Sequence, residues 1–300
     1  MIFTEDKTIE ETILKALVMP KKTDEMIAHY PSGLMSCPRS RYYSWMSREE
    51  LEKEFGELEK TAIDEEWITK TGIFAMGNAV EDQLKALLNM AGLLPSPDRC
   101  QYRIRSRTFL ISGNIDFLIW HEGKNIPIEC KSAKKERFYS VRGWVCNNCK
   151  GKLKKTAKVC PDCDTPFPEK TYITEKVGYE EQPSIDHYAQ LQSYLNIGNF
   201  EYGYLYYYNK NDSTRKWWRI DKDPEFWHEI ILQNEKLLIS VDAREVPERP
   251  YKADFDINGC MKRSSDWQCR YCDWSRICWS DVIRENLTEC ESQVSRMFGV

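Results

Sequence analysis

Three acidic residues and one lysine occur where helix and strand patterns would bring them together. Glu129 and Lys131 lie two residues apart in the apolar stretch 126–132, which is typical of a strand, so both side chains share one face of it. Asp116 lies within the preceding apolar strand, and Glu81 lies on the apolar face of a helix. Buried charges are costly unless they are paired or bind metal. The pattern therefore predicts a site for Mg2+ or Mn2+, which prefer oxygen ligands.

A hard cation at this place could lower the pKa of a bound water and clamp attacking and leaving oxygens. Lys131 could orient or deprotonate that water or stabilise charge at phosphorus, and the Cys130 carbonyl could add a ligand. Gln190 and Tyr194, four residues apart on a helix, share one face and could hold Lys131 or a phosphate. The alternatives are an ion pair between strand neighbours, ordinary exposed polar residues and, for His187, a capping or packing role.

The chain's 12 cysteines offer a second kind of chemistry. The N-terminal residues lack a basic segment followed by an apolar one, and no apolar run approaches the roughly 18–20 residues of a membrane span. We therefore expect no membrane association and a cytoplasmic location. In a reducing compartment, cysteines indicate metal or redox use rather than a disulfide framework.

The cysteines form two sets by their spacing. Two Cys-x-x-Cys pairs separated by ten residues favour tetrahedral Zn2+ in a zinc-ribbon-like insertion over a redox role. A C-terminal Cys-x2-Cys-x5-Cys group lacks a fourth thiolate; Cys37 is the candidate, with Cys260 and Cys290 as substitutes. Four thiolates suit iron–sulfur or zinc by ligand chemistry alone. The first set is Cys146, Cys149, Cys160 and Cys163, and the C-terminal group is Cys269, Cys272 and Cys278.

Charge is concentrated in one region of a mildly acidic chain. The formal net charge is -4, yet residues 131–158 contain ten Lys or Arg and one acid. This region is either a solvated loop or a polyanion-binding surface. Aromatic strands at 204–208 and 217–218 either pack in the core or stack bases of a single strand. Candidate phosphate contacts are Arg39, Arg41, Lys150, Lys152, Lys154, Lys155 and Lys158.

The elements that must position these residues alternate between helical and strand periods, which predicts an α/β domain with a sheet flanked by helices. We expect five regions, at 1–74, 75–140, 141–170, 171–245 and 246–300, of which the third is the cysteine-rich insertion without apolar period. Predicted helices cover 6–18, 39–60, 75–90, 184–197 and 224–240; predicted strands cover 102–107, 109–120 with a bend or bulge at 112–114, 126–131, 200–208 and 216–220.

In chain order, Glu81, Asp116, Glu129-Cys130-Lys131 and the Gln190 to Tyr194 segment resemble the motifs of PD-(D/E)XK nucleases of the RecB type. The resemblance covers most of the chain. It departs from the usual pattern at Glu81, where most RecB-type enzymes have His and other branches have Glu. It implies a restriction-endonuclease-like core, with a mixed central sheet flanked by helices, and metal-dependent hydrolysis of DNA, chiefly as an exonuclease on single-stranded or end-containing DNA.

The one-plus-three cysteine layout is similar to that of iron–sulfur nucleases in the CRISPR-associated exonuclease family and the AddB-like subunit. That resemblance implies a 4Fe–4S cluster on Cys37, Cys269, Cys272 and Cys278, joining the N- and C-terminal regions. It also implies DNA as a partner, a bacterial, archaeal or phage-infected host cell, and roles in recombination, repair, phage DNA processing or CRISPR adaptation. Because no helicase motif occurs, a helicase, recombinase or adaptation partner would be another chain. Two other hypotheses are a non-catalytic DNA-binding module and an iron–sulfur redox protein.

Overall fold

The structure is a computed structural model. It describes residues 28–46, 48–55, 65–146, 148–149, 152–153, 158–166, 171–176, 178–255, 261–262, 265–270 and 272–283. The helix predicted over 6–18 lies outside these residues. In the part of the chain that is described, no helix is long and apolar enough to span a membrane.

Strands and helices occur in the order that the sequence predicts, with longer bounds in several cases. The strands are β1 (Cys100–Ser106), β2 (Ile111–His121), β3 (Lys124–Ala133), β4 (Val141–Cys146), β5 (Lys152–Leu153), β6 (Thr171–Lys176), β7 (Tyr202–Asn209) and β8 (Arg215–Asp221). The helices are α1 (Pro38–Trp45), α2 (Arg48–Phe55), α3 (Glu65–Met90), α4 (Lys135–Phe138), α5 (Ile185–Ile197), α6 (Pro224–Asp242), α7 (Trp267–Arg270) and α8 (Ser275–Cys278).

The central sheet has five strands in the order β1-β2-β3-β7-β8. The β3–β7 pair is parallel and the other three pairs are antiparallel. A parallel pair needs a crossover connection, and here the connection runs through α4, the insertion and α5. The predicted α/β class, a mixed sheet flanked by helices, is confirmed.

Helices cover both faces of this sheet. Helix α3 places Val80, Leu84 and Leu88 against the apolar side of β2 and β3, where Ile128 and Cys130 are buried. Helix α5 packs on the opposite face, and α6 packs behind α5. Because side chains alternate along a strand, Glu129 and Lys131 of β3 lie on the face away from Ile128 and Cys130, as the sequence predicts.

Two details of the prediction were wrong. Helix α3 begins at Glu65 rather than at 75. The added residues include two Thr and a Gly, whose low helix propensity weakens the helical signal in the sequence. The bend predicted at 112–114 is absent: the β1–β2 pairing continues regularly through Ser112, Gly113 and Asn114. Gly113 is required for packing instead, because a Cβ there would lie 2.7 Å from Cγ of Pro31.

The insertion also differs from its prediction, since it contains a sheet. Strands β4, β5 and β6 form a three-stranded antiparallel sheet in the order β5-β4-β6. Its two long strands leave the core side by side near Ser140 and Gly178, where a Cβ on the glycine would lie 2.2 Å from the Phe138 carbonyl oxygen. The cysteine pairs lie at the end of this sheet that is away from Ser140 and Gly178. The cysteines and lysines interrupt the alternation by which strands are recognised in a sequence.

His29 ties the N-terminal segment to the core. Its main chain pairs with Leu110 and Ser112, at 2.6 and 3.0 Å, and Nδ1 accepts a 3.3 Å hydrogen bond from Trp45 Nε1. Nδ1 also lies 3.2 Å from Nη2 of Arg41. Burial, together with the charge of Arg41, lowers the pKa of His29 from 6.5 to about 3.

This lowered pKa predicts acid sensitivity. The unfolded chain takes up a proton at His29 below about pH 6.5, and the folded chain does so only near 3, so the contribution of His29 is complete above pH 6.5 and declines below it. We expect His29→Gln to reduce the loss of unfolding free energy between pH 7.5 and 5 by about 1–2 kcal/mol. Urea unfolding at both pH values measures the difference. His121→Gln, at an exposed position, is the matched control, and an equal decline in all three proteins would contradict the prediction.

Candidate functional site

The site lies where β2 and β3 separate. Their main-chain pairing extends from His121 and Lys124 to Phe117 and Ile128. At the next position, Asp116 Oδ2 accepts a 2.8 Å hydrogen bond from the main-chain N–H of Cys130. A side chain thus occupies the place of a main-chain partner, and the strands part beside the Glu129 and Lys131 pair.

Glu129 is 1% exposed, and its two oxygens have different surroundings. Oε1 accepts hydrogen bonds from Lys131 Nζ and Gln190 Nε2, both at 2.6 Å. Gln190 also donates to Tyr194 Oη at 3.2 Å, and Tyr194 donates to the Asn114 carbonyl at 2.8 Å. Oε2 is buried, and no described residue bonds to it. Buried polar atoms are rarely left unpaired, so this oxygen has the character of an open ligand position.

Gln101 joins the other two acids. Its Nε2 lies 3.1 Å from Glu81 Oε2 and 3.2 Å from Asp116 Oδ1, so the acid on α3 and the acid on β2 share one donor. Gln101 lies between Cys100 and Tyr102, which pair with Phe117 and Ile115 on either side of Asp116, and it has a φ of +51°, which is uncommon outside Gly and Asn. Sequence analysis missed this residue because a single glutamine in a polar strand gives no signal.

The electrostatics of the site favour a cation. Burial raises the pKa of Glu81 to about 7 and of Glu129 to about 8, and neighbouring carboxylates add to both shifts. Burial likewise raises the pKa of Asp116. Burial alone would lower the pKa of Lys131, but Glu129 and Asp116 outweigh it and raise that pKa. When all three carboxylates are ionised, one lysine does not balance their charge, and the raised pKa values express the cost of that negative charge in a buried place. The residues suit a divalent metal ion by their chemistry, although their ligand atoms, unlike those of the four cysteines in the insertion, do not all lie within 4.8 Å of one another.

His187 packs beside the site rather than on the acids. Its Nδ1 lies 2.8 Å from Tyr207 Oη, and its ring contacts those of Tyr179 and Tyr207. Burial, followed by the charges of Lys131 and Arg137, lowers its pKa to about 3. It is thus a neutral side chain at neutral pH, in agreement with a packing role.

The insertion contains a four-cysteine group whose sulfur atoms all lie within 4.8 Å of one another. The Cys146 and Cys163 sulfurs are 3.7 Å apart, and those of Cys149 and Cys160 are 3.5 Å apart. A tetrahedral zinc site with Zn–S bonds of about 2.3 Å has sulfurs about 3.8 Å apart. A hydrogen bond from the Thr165 hydroxyl lowers the pKa of Cys163 to about 6, which favours the thiolate. This group is suited to one metal ion.

The structure also brings Cys37, which precedes α1, near the three C-terminal cysteines. Burial raises the pKa of Cys269, Cys272 and Cys278, and the charge of Cys37 contributes to each shift. Among the described residues, only the group in the insertion has all its ligand atoms within 4.8 Å, so this second set is more widely spread. Cys260 and Cys290, the substitutes for Cys37, lie outside the described residues.

The predicted phosphate contacts have different positions. Arg41 is 8% exposed, donates to the Leu34 carbonyl at 2.9 Å and to Asn234, and so serves the interior rather than the surface. Arg39 donates a hydrogen bond to Tyr43 Oη at 3.3 Å, and its positive charge opposes the rise in the pKa of Cys278. Lys158 is exposed. Lys150, Lys154, Lys155 and the side chain of Lys152 lie outside the described residues.

Comparison with known proteins gives distant structural matches. No protein-family model and no curated protein matches the chain. The crystal structure of SSO0001 aligns with a TM-score of 0.45 and 19% identity, over 90% of this chain and 95% of that one. An alkaline exonuclease from Laribacter hongkongensis aligns with a TM-score of 0.39 and 12% identity, over 74% and 91%. The same exonuclease in complex with dAMP aligns at 0.38 and 12%, over 73% and 90%.

Proposed function

We propose that the chain is a metal-dependent DNA nuclease of the PD-(D/E)XK type. The observation that carries the proposal is the unpartnered, buried Oε2 of Glu129, beside two further carboxylates and a lysine. Metal-dependent phosphodiester hydrolysis uses this combination: oxygen ligands for a cation and a positive group near the reacting phosphate.

Glu81, Asp116, Glu129 and the Cys130 carbonyl would hold one or two Mg2+ or Mn2+ ions. When bound, the metal would lower the pKa of a water and neutralise charge on the attacked and leaving oxygens. Lys131 Nζ lies 2.6 Å from Glu129 Oε1, and 22% of the lysine side chain is exposed. Lys131 can therefore contact a phosphate while it stays paired with Glu129.

The remaining polar residues of the site position the acids and the lysine. Gln190 fixes one oxygen of Glu129, and Tyr194 anchors Gln190 to β2 through the Asn114 carbonyl. This leaves the second oxygen of Glu129 as the open position. Gln101 holds the acids of α3 and β2 at one place.

The wider proposal concerns cofactors and substrate. We assign Zn2+ to Cys146, Cys149, Cys160 and Cys163, and a 4Fe–4S cluster to Cys37, Cys269, Cys272 and Cys278. We further propose a restriction-endonuclease-like core divided by the insertion, and exonuclease action on single-stranded or end-containing DNA in recombination, repair, phage DNA processing or CRISPR adaptation. A helicase, recombinase or adaptation protein would be a separate partner.

A cleavage assay on anaerobically purified protein tests the nuclease. Labelled single- and double-stranded DNA, linear and circular, is incubated with Mg2+, Mn2+ or chelator, in parallel with Asp116→Asn. Degradation that requires metal and Asp116 supports the proposal, and survival of circular substrates identifies an exonuclease. Binding without cleavage by fully metallated protein would instead favour a non-catalytic DNA-binding module.

Zinc in the insertion makes a separate prediction. We expect Cys160→Ser to lose about one Zn2+ per chain, because a four-thiolate site with one hydroxyl ligand binds zinc far more weakly. The insertion should then become sensitive to protease while the five-stranded sheet remains folded, since the two sheets have separate main-chain pairing. Metal analysis and limited proteolysis measure both effects. Cys100→Ser is the control, since Cys100 belongs to neither cysteine set. Unchanged zinc content in Cys160→Ser would refute the assignment.

A further inference from the structure

The outer part of the central sheet presents a row of aromatic and arginine side chains, here called the β7–β8 face. Main-chain pairing places Tyr204 opposite Arg219 and Tyr206 opposite Trp217. Side chains directly opposite each other in an antiparallel pair share a face. Tyr202 and Arg215 lie on the same face by strand alternation. By the same pairing and alternation, the face consists of Tyr202, Tyr204, Tyr206, Tyr208, Arg215, Trp217, Arg219 and Asp221.

The centre of the β7–β8 face is an exposed indole. Trp217 is 42% exposed, although its ring lies only 4.5 Å from the ring of Tyr206 and 6.0 Å from that of Tyr204. The neighbouring tyrosines hold the indole in place and leave part of it uncovered. A large exposed aromatic on a fixed platform is typical of a binding surface.

The arginines extend this platform; the charge of Arg219 is paired with that of Asp221, and Arg215 adds a positive charge. The Arg219 guanidinium lies 3.9 Å from the centre of the Tyr202 ring, and Asp221 holds its Nε and Nη2 at 3.0 and 2.9 Å. Its plane is therefore fixed before any ligand binds. Arg215 is exposed, and its positive charge partly offsets the rise that burial causes in the pKa of Tyr206. Guanidinium groups beside rings match a chain that alternates phosphates with flat bases.

The face lies on the side of the central sheet that carries Cys130 and α3, so Glu129 and Lys131 lie on the opposite side. Tyr206 is the β7 partner of Cys130 on β3, and Trp217 is the β8 partner of Tyr206. With strands about 4.8 Å apart, Trp217 lies about 10 Å across the sheet from Cys130. Helix α3 packs on β2 and β3 on this side of the sheet, and Trp217 beyond it remains exposed.

We propose that the β7–β8 face binds single-stranded nucleic acid by stacking its bases on Trp217 and its neighbours. This inference rests on the proposed function and gives the substrate class: an unpaired strand, whose bases are free to stack. The bases of a duplex already stack on one another and offer no free faces along its length. The face therefore holds a single strand on the α3 side of the sheet, opposite the side of Glu129 and Lys131.

Binding without cleavage tests the inference. Fluorescence anisotropy of a labelled 20-nucleotide oligothymidine is measured with chelator, using the full chain purified anaerobically. We expect Trp217→Ala to weaken binding about 5- to 150-fold, the equivalent of about 1–3 kcal/mol per stacked base. Trp217→Phe keeps an aromatic ring and should lose less. Trp120→Ala removes a 47% exposed tryptophan from β2, outside the face, and should bind as the unmodified protein does.

The outcomes separate this inference from the nuclease proposal. Cleavage of the same oligonucleotide with Mn2+ is measured in parallel. Unmodified protein that cleaves while Trp217→Ala binds with full affinity overturns the inference and leaves the nuclease standing. Protein that neither binds nor cleaves overturns both. If Trp217→Ala instead converts a dimer to a monomer in light scattering, the face is a contact between copies of the chain, and the inference is wrong.

Discussion

Glu129→Gln is expected to reduce metal-dependent cleavage by at least about 10³-fold without unfolding the protein. Glutamine keeps the size of the side chain and can still accept hydrogen bonds from Lys131 and Gln190. It replaces the charged, open oxygen by a group with no charge to offer a cation. Metal coordination contributes several kcal/mol of transition-state stabilisation, and each 1.36 kcal/mol corresponds to tenfold in rate. In the variant, the buried charge of Lys131 still has the charge of Asp116 near it. We therefore expect the fold to remain intact.

Glu122→Gln is the matched control for this substitution. Glu122 and Lys124 have the same acid-x-lysine spacing as Glu129 and Lys131, but they lie at the exposed β2–β3 turn. Cleavage rates at saturating Mn2+, together with thermal unfolding curves, are compared for the three proteins. Full activity of Glu129→Gln, or equal loss in Glu122→Gln, would exclude Glu129 as the metal ligand.

Cys272→Ala should show the second large effect, which is loss of iron. Removing one of four thiolate ligands exposes the cluster, and the cluster connects residues more than 200 positions apart in the chain. In the chain-entropy model, a cross-link closing a loop of this length stabilises a fold by about 5–6 kcal/mol. We therefore expect anaerobic protein to lose most of its iron and its thermal midpoint to fall by roughly 10 °C.

Iron content, the visible absorption of the cluster and the thermal midpoint test this expectation. Cys100→Ala is the control, because Cys100 is half-buried at the start of β1 and belongs to neither cysteine set. Cys37→Ala should behave like Cys272→Ala, although Cys37 precedes the other three ligands by most of the chain. Normal iron content in Cys37→Ala would separate it from the cluster and leave Cys260 or Cys290 as the fourth ligand.

Local periodicity was sufficient to predict most of the fold. The alternation in β3 placed Glu129 and Lys131 on one face, and the structure joins them at 2.6 Å. The four-residue spacing of Gln190 and Tyr194 placed them on one face of α5, where they are also hydrogen bonded. In each case the spacing belongs to a single element, so the sequence alone contains the information.

Contacts between distant elements could not be read in this way. The environment of Gln101 depends on α3 and β2, and its left-handed backbone gives no sign in a glutamine. Arg41 beside Cys37 resembled a phosphate contact, but partners from the chain far beyond it, including Asn234, draw it into the interior. The role of Gly113 depends on Pro31, which lies about 80 positions earlier in the chain.

The way the insertion joins the core has an evolutionary consequence. Tyr179 N donates to the Arg137 carbonyl at 3.1 Å, and Glu180 N donates to the Phe138 carbonyl at 2.9 Å, so both junctions are already adjacent. A tight turn could close this gap with the central sheet unchanged. The cysteine-bearing sheet is thus a separable insertion. An ancestral gene could gain, lose or exchange it without new mutations in the residues around Glu129.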